Sequence, residues 1–437
     1  MKIVGKTSLE VSDCIRELVL KGDINAGDSL PPVRELAERL GINRNTVALA
    51  YQRLVKSGIA ITQGRLGTRI CSPPEAGEQE GRSESTALTD LANGNPNPAR
   101  LPNPQDLLTQ GLLSKQLATP KLYGDQTVLP DLRLFAEASM ALDCPGTFEL
   151  ELTNGAIDAI ERLTSAHLAP GDKVAVEDPC FLGTTNALRI ANMQAIGVDV
   201  DETGMHPDHL QLAIEQGARA VIITPRAHNP TGCSLTKSRA NALKKVLKKH
   251  PNVLVIIDDH FSLLADTQYH SIIPETTVHW ALVRSVSKFL GPDLRFAFLA
   301  CDSTTMSRLR ARLAPGMTWV SHIIQAIVYA NLQSGDTQAQ IKQARNEYIE
   351  RRTLLCSALH DKGINATSGG LNVWIPLSKS ARDVAHQLAQ RGWLVRQGSA
   401  FQVDTKLGYK VEALRVTISQ IDDDQATAFA SDLASCI

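Results

Sequence analysis

The chain has 437 residues, 43% of them hydrophobic and 21% charged, with a formal net charge of −1; this is the composition of a folded protein, and the length predicts two or three domains. No apolar run approaches the ~18 residues of a membrane span, and the N-terminus lacks the apolar core of a secretory signal. Eight cysteines show no CxxC or Cys/His spacing, so the expectation is a cytoplasmic protein with reduced thiols, no metal site and no membrane partner.

In chain order, the first region is basic and helical. Residues 1–72 hold eleven Lys and Arg against seven Asp and Glu, and 33–72 hold seven against two, which suggests a polyanion partner for this region alone. Leu9, Val11, Ile15, Leu18 and Val19 recur at roughly helical spacing. After a turn at 25–28, Pro32 leads into the helix VRELAERL, which Gly41 ends. Asn43 is placed to cap a third helix with an apolar face of Val47, Ala50, Tyr51, Leu54 and Val55, closed by Gly58. The run IAITQGRLGTRI reads as strand, glycine turn, strand. Two helices with a tight turn followed by a hairpin predict a winged helix-turn-helix over 1–72, with double-stranded DNA as its partner. Asn43, Arg44 and Thr46, at the start of the third helix, are candidates for base edges; Arg34 opens the second helix beside a phosphate or guanine. Arg65 and Gly67 belong to the wing turn, where glycine permits close backbone approach. A surface-charged helical hairpin is the simpler alternative.

The stretch 73–87 is rich in Pro, Gly, Ser and Glu and poor in large apolar residues, which predicts a flexible linker. From 88 to 437, helical stretches alternate with the apolar runs KVAVED, RAVIITP, NVLVIIDD, WALVRSVS and RFAFLA. That alternation predicts an α/β domain with a large, mostly parallel sheet and functional residues at the strand ends. A smaller lobe is expected over about 345–437, where LNVWIP and LRVTIS read as shorter strands.

One constellation in this body carries chemistry. Ser285, Ser287 and Lys288 form S-x-S-K, with Arg295 further on. A lysine amine forms a Schiff base with an aldehyde cofactor once desolvation or nearby cations lower its pKa, and hydroxyls and an arginine suit a phosphate monoester. Asn229, in HNPTG after a strand, can bond a phenolic oxygen. Asp258, at the end of NVLVIID, can pair with a pyridine nitrogen. Gly155 and Ala156 open a helix whose free N–H groups suit a phosphate, and Phe181 can stack on a pyridine ring. Taken singly, Asp258 is equally a cap, Phe181 core, Asn229 a turn former and Arg295 a surface cation; the order of all five gives them weight.

The run LPPVRELAERLGINRNTVALAYQRLVKSGIAITQGRLGTRI resembles the GntR family of winged-helix repressors. It departs at Pro32, where that family usually has Ser, which implies weakened phosphate contact. The Lys288 constellation resembles the fold-type I aminotransferases across roughly 88–437, which implies pyridoxal 5'-phosphate on Lys288. The resemblance extends to Tyr123, which would reach the phosphate bound by a partner subunit. It also includes Gly94 in LANGNP, lining the substrate site, and Arg415 in ALRVTIS, clamping a carboxylate. A homodimer with composite sites follows from it. A GntR head on such a body is the mark of the MocR subfamily, and within it the chain looks closest to the type linked to vitamin B6 salvage. The function implied is a cofactor-responsive transcription regulator, with an amine or amino acid as candidate co-effector and the aminotransferase-like domain used for sensing. The alternative is a working aminotransferase with an accessory DNA-binding head. Two departures favour the sensor: His260 replaces the tyrosine expected near the pyridine-binding aspartate, and Ile157 replaces a polar residue at the phosphate-binding helix start. Asp259 beside Asp258 leaves the choice of aspartate open, with Asp258 favoured.

Overall fold

Thr7 begins the head by accepting a hydrogen bond from the Glu10 N–H, which caps helix α1 (Ser8–Leu20). The computed structural model describes residues 3–25, 27–57, 59–62, 67–70, 80–81, 87–103, 105–106, 120–403 and 411–437. Helix α2 (Val33–Leu40) starts after Pro32 and stops at Gly41, whose φ of 64° is the left-handed turn that glycine adopts without steric cost. Helix α3 (Arg44–Lys56) starts at Asn43, whose side chain accepts from the Asn45 N–H. The three helices close on Val11, Ile15, Leu36, Val47, Ala50, Tyr51 and Leu54, all buried. The Tyr51 hydroxyl donates to the Pro31 carbonyl at 2.7 Å, tying α3 to the entry of α2.

Leu9 and Val55 lie at the edge of their helices and are exposed rather than part of the apolar faces. The buried sets run Val11, Ile15 and Val47, Ala50, Tyr51, Leu54, and 100° per residue carries the two others off those stripes. Strands β1 (Ala60–Thr62) and β2 (Thr68–Ile70) pair antiparallel as the wing. Gly58 and Arg65 lie outside the described residues.

The body is built on an eight-stranded sheet. In chain order its strands are β3 (Glu149–Thr153), β4 (Lys173–Asp178), β5 (Gln194–Asp201), β6 (Gly204–Met205), β7 (Ala218–Ile223), β8 (Leu254–Asp258), β9 (Trp280–Ser285) and β10 (Ala297–Cys301). Their order across the sheet is β3-β10-β9-β8-β7-β4-β5-β6. The central strands are apolar along nearly their whole length because they are covered on both faces. The sheet is mostly parallel, as the sequence suggests, with antiparallel pairs toward its edges. Strands β4, β7, β8 and β9 run parallel, but β10 returns antiparallel to β9 and β3 pairs antiparallel to β10. The connection 286–296 carries only a short turn, and a parallel return needs a crossover helix.

Helix α4 (Ala156–His167) follows β3 directly. The long helix α5 (Gly335–His360) runs through residue 345. Beyond it, β11 (Thr367–Gly369), β12 (Asn372–Pro376), β13 (Arg396–Gln397) and β14 (Ala413–Thr417) form an antiparallel sheet in the order β11-β12-β14-β13. The pairing of Thr89–Asp90 with Trp393–Leu394 stitches the start of the body to this lobe. Among the described residues, no helix is long and apolar enough to cross a membrane.

Leu36 is fully buried at the centre of the head. Leu36→Ala is expected to destabilise the head by about 2–5 kcal/mol, read as a lower urea midpoint for its unfolding with the body's transition in place.

Candidate functional site

The sheet delivers its polar side chains at the carboxyl ends of the parallel strands. Asp258 is the last residue of β8 and is buried; its Oδ1 has no hydrogen-bond partner. His260 Nδ1 stands 3.5 Å from that oxygen and also lacks a partner. The adjacent Asp259 is spent: it accepts from Arg226 at 2.6 and 3.0 Å and from Arg284 at 2.8 Å. Both guanidiniums lie over the Tyr269 ring.

Lys288 follows β9 and is half-buried, its amine donating to the Gly94 carbonyl at 2.8 Å. Removal from water lowers its pKa, and Arg415 lowers it further; the carboxylates of Glu80 and Asp258 oppose both without prevailing. Asn229 is buried, its amide oxygen accepting from Arg415 at 3.1 Å and its amide nitrogen donating to Glu80 at 3.1 Å. Arg415, on β14, is wholly buried; it donates to Glu80, Asn229 and the Ala92 carbonyl and lies over the Phe401 ring. The Phe181 ring is near-parallel to that of His260, at 6.4 Å between centroids.

At the predicted anion end the structure brings Gly155 and Arg295 together. Gly155, with φ of 94°, precedes α4, and the Arg295 guanidinium lies 3.5 Å from where a Gly155 Cβ would sit. Ala156 is the first helical residue, and Ser285 donates to Ser287 at 2.9 Å. Ile157 and Phe181 both crowd the position a Gly183 Cβ would take, so the departure at 157 adds apolar surface beside the pocket. Tyr123 is not gathered with these residues: it is 93% exposed, with its ring edge-on to Trp319.

A pyridoxal-type cofactor fits this residue set. A buried carboxylate oxygen without a donor suits a protonated ring nitrogen, and free helix N–H groups with an arginine and two hydroxyls suit a phosphate. Sequence reasoning missed two features. One is Glu80, inside the stretch expected to be a free linker. The other is the buried pair of Glu177 and His228, with 3.3 Å between Oε2 and Nε2. Burial drives Glu177 up to about 8 and His228 down to about 3, so both are neutral at pH 7 behind Asp258.

In the head, Arg34 and Arg44 are exposed and share Glu38 at 3.0 and 3.9 Å. The Asn43 amide oxygen is committed to its cap, and Thr46 is half-buried. Gly67 has φ of 80° with open space around it.

Known proteins share this architecture. Residues 105–433 match the family of class I and II aminotransferases, and residues 7–70 match the gntR family of bacterial regulatory proteins. The vitamin B6 salvage pathway transcriptional repressor PtsJ of Salmonella typhimurium is 49% identical over 436 residues, covering 99% of this chain and 98% of that protein. The pyridoxine biosynthesis transcriptional regulator PdxR of Corynebacterium glutamicum is 26% identical, covering 88% and 86%. Among solved structures, the multiple substrate aminotransferase of Thermococcus profundus superposes with a TM-score of 0.71 at 21% identity, covering 81% of this chain and 92% of that one. The kynurenine aminotransferase of Pyrococcus horikoshii gives 0.70 at 21%, covering 80% and 91%; both show the fold.

The two aspartates are expected to separate on substitution. Asp259→Asn leaves two buried guanidiniums short of charge and should cost about 3–5 kcal/mol in denaturant unfolding, whereas Asp258→Asn should leave unfolding nearly unchanged. Glu177 has its own signature. A carboxyl raised from 4.5 to about 8 holds its proton in the folded state through that range, so its contribution is full below it and is lost as pH rises through it. Glu177→Gln removes that loss, and its thermal midpoint should gain on wild type between about pH 5 and pH 8.

Proposed function

The chain belongs to the MocR-type regulators, in which a GntR head is fused to a class I and II aminotransferase body, and on that premise we propose that it regulates transcription of vitamin B6 metabolism genes with pyridoxal phosphate as its effector. The observation that carries the effector reading is the pocket around Asp258 and Lys288: a buried carboxylate oxygen without a partner beside an amine whose pKa is lowered. The likeness to regulators named for vitamin B6 salvage and pyridoxine biosynthesis supports the choice of target genes.

Pyridoxal phosphate, when bound, supplies an aldehyde that condenses with a lysine amine and a ring that absorbs visible light. The chain's own groups position it. Lys288 presents an amine whose lowered pKa makes the nucleophilic form easier to reach. Asp258 would hold the ring nitrogen, and Asn229 and His260 would serve the phenolic oxygen. Phe181 would cover one ring face and exclude water there. Gly155 and Ala156 offer backbone N–H groups to the phosphate, with Ser285, Ser287 and Arg295 around it. Tyr123 serves the phosphate of a second copy, a homodimeric arrangement favoured by its exposure in the single chain. Arg415 receives a carboxylate. In the head, the start of α3, with Asn43, Arg44 and Thr46, enters the major groove, Arg34 meets a phosphate or a guanine edge, Gly67 permits close backbone approach, and Arg65, outside the described residues, is the candidate for a minor groove.

The test uses the full chain. Added pyridoxal phosphate should produce a visible absorption band in wild type that Lys288→Ala lacks. It should also shift the affinity for the chain's own promoter region by about tenfold or more, a difference of about 1.4 kcal/mol. Arg44→Ala should weaken promoter binding by about 1–3 kcal/mol while keeping the band. Identical footprints with and without the cofactor would sink the effector reading.

A further inference from the structure

Glu80 is the unexpected occupant of the site. It lies in a stretch whose composition predicts no packed structure, yet its side chain is only 16% exposed. Its carboxylate is bidentate on Arg415: Nη2 donates to Oε2 at 3.1 Å and Nη1 to Oε1. Asn229 donates to the same Oε1 at 3.1 Å. A side chain on Gly94 would run into this carboxylate, so the close approach depends on glycine there. The next residue is tied as well: the Gly81 N–H donates to the Asn93 carbonyl at 2.9 Å. Planar, bidentate recognition of a carboxylate is what a guanidinium does best, and here both partners are enclosed. Burial alone would raise the Glu80 pKa, but Arg415, Lys288 and Asn229 together hold it below the ordinary value, so the group is an anion.

We propose that Glu80 is a built-in carboxylate ligand of Arg415. It keeps amino-acid carboxylates out of the site and fastens the interdomain linker to the body until such a ligand displaces it. This rests on the reading of the pocket as an effector site and gives that site its selectivity: it admits a cofactor that carries a phosphate and no carboxylate, and it resists any compound whose carboxylate must compete with a tethered one. An internal competitor has an effective concentration far above that of free metabolites. On this proposal amino-acid turnover is held back, because the clamp that would orient a substrate carboxylate is already filled.

The test compares the full chain with Glu80→Gln and Glu80→Ala, using L-alanine as the probe. Calorimetric titration should show L-alanine binding at least about tenfold more tightly to both variants than to wild type. Trypsin should cleave after Arg82 at least about fivefold faster in both variants, and L-alanine should speed that cleavage in wild type only. The cofactor band should persist in both variants, which controls for folding. Equal L-alanine affinity in all three proteins, or equal cleavage after Arg82, would overturn the proposal. If wild type shows no cofactor band, the effector reading fails instead, and the cleavage comparison on the cofactor-free chain still decides whether Glu80 holds the linker.

Discussion

The structure depends on two neighbouring carboxylates leaving β8 in opposite directions. Successive strand residues face opposite sides, so Asp258 turns toward the pocket as Asp259 turns away from it. Asp259 is locked between Arg226 and Arg284, and its N–H continues the ladder by donating to Val283 at 2.9 Å. That lock sets the register of β8 against β9, and a slip of one residue would exchange the two carboxylates. With Asp259 neutralised, Asp258 is the one left with an oxygen available to a ligand.

Around Asp258 the charges are nearly matched. Lys288 and Arg415 supply the basic side chains, Asp258 and Glu80 the acidic ones, in a region largely removed from water. In such surroundings an unpaired charge is expensive, so each member constrains the others. Glu177 and His228, directly behind, avoid the cost by remaining neutral. The apolar pair Phe181 and Ile157 packs around Gly183 close by.

Much of this was legible in the residues. Lys288, Asp258 and Asn229 each sit at or just after the end of an apolar run, where strand ends concentrate chemistry. Arg415 lies within one, its charge conspicuous among apolar neighbours. The head was legible because its helices have short caps and glycine stops within a few residues of one another. The aspartate choice was not, because both carry the same group and only Arg226 and Arg284 tell them apart. The reversed direction of β10 was not read from its sequence, although the absence of a crossover helix between β9 and β10 pointed to it. Glu80 left no signal: a glutamate amid Pro, Gly and Ser looks like solvated linker, and its partner Arg415 is 335 residues away.

By itself the amino-acid sequence determined the modules, their elements and the chemical character of the pocket, since periodicity, caps and strand-end motifs act over a few residues. Only the tertiary structure decided which charges meet: Asp259 with its two arginines, Glu177 with His228, and Glu80 with Arg415. These pairings depend on the burial and exact approach of strands and loops distant in the chain, and local patterning carries no record of them.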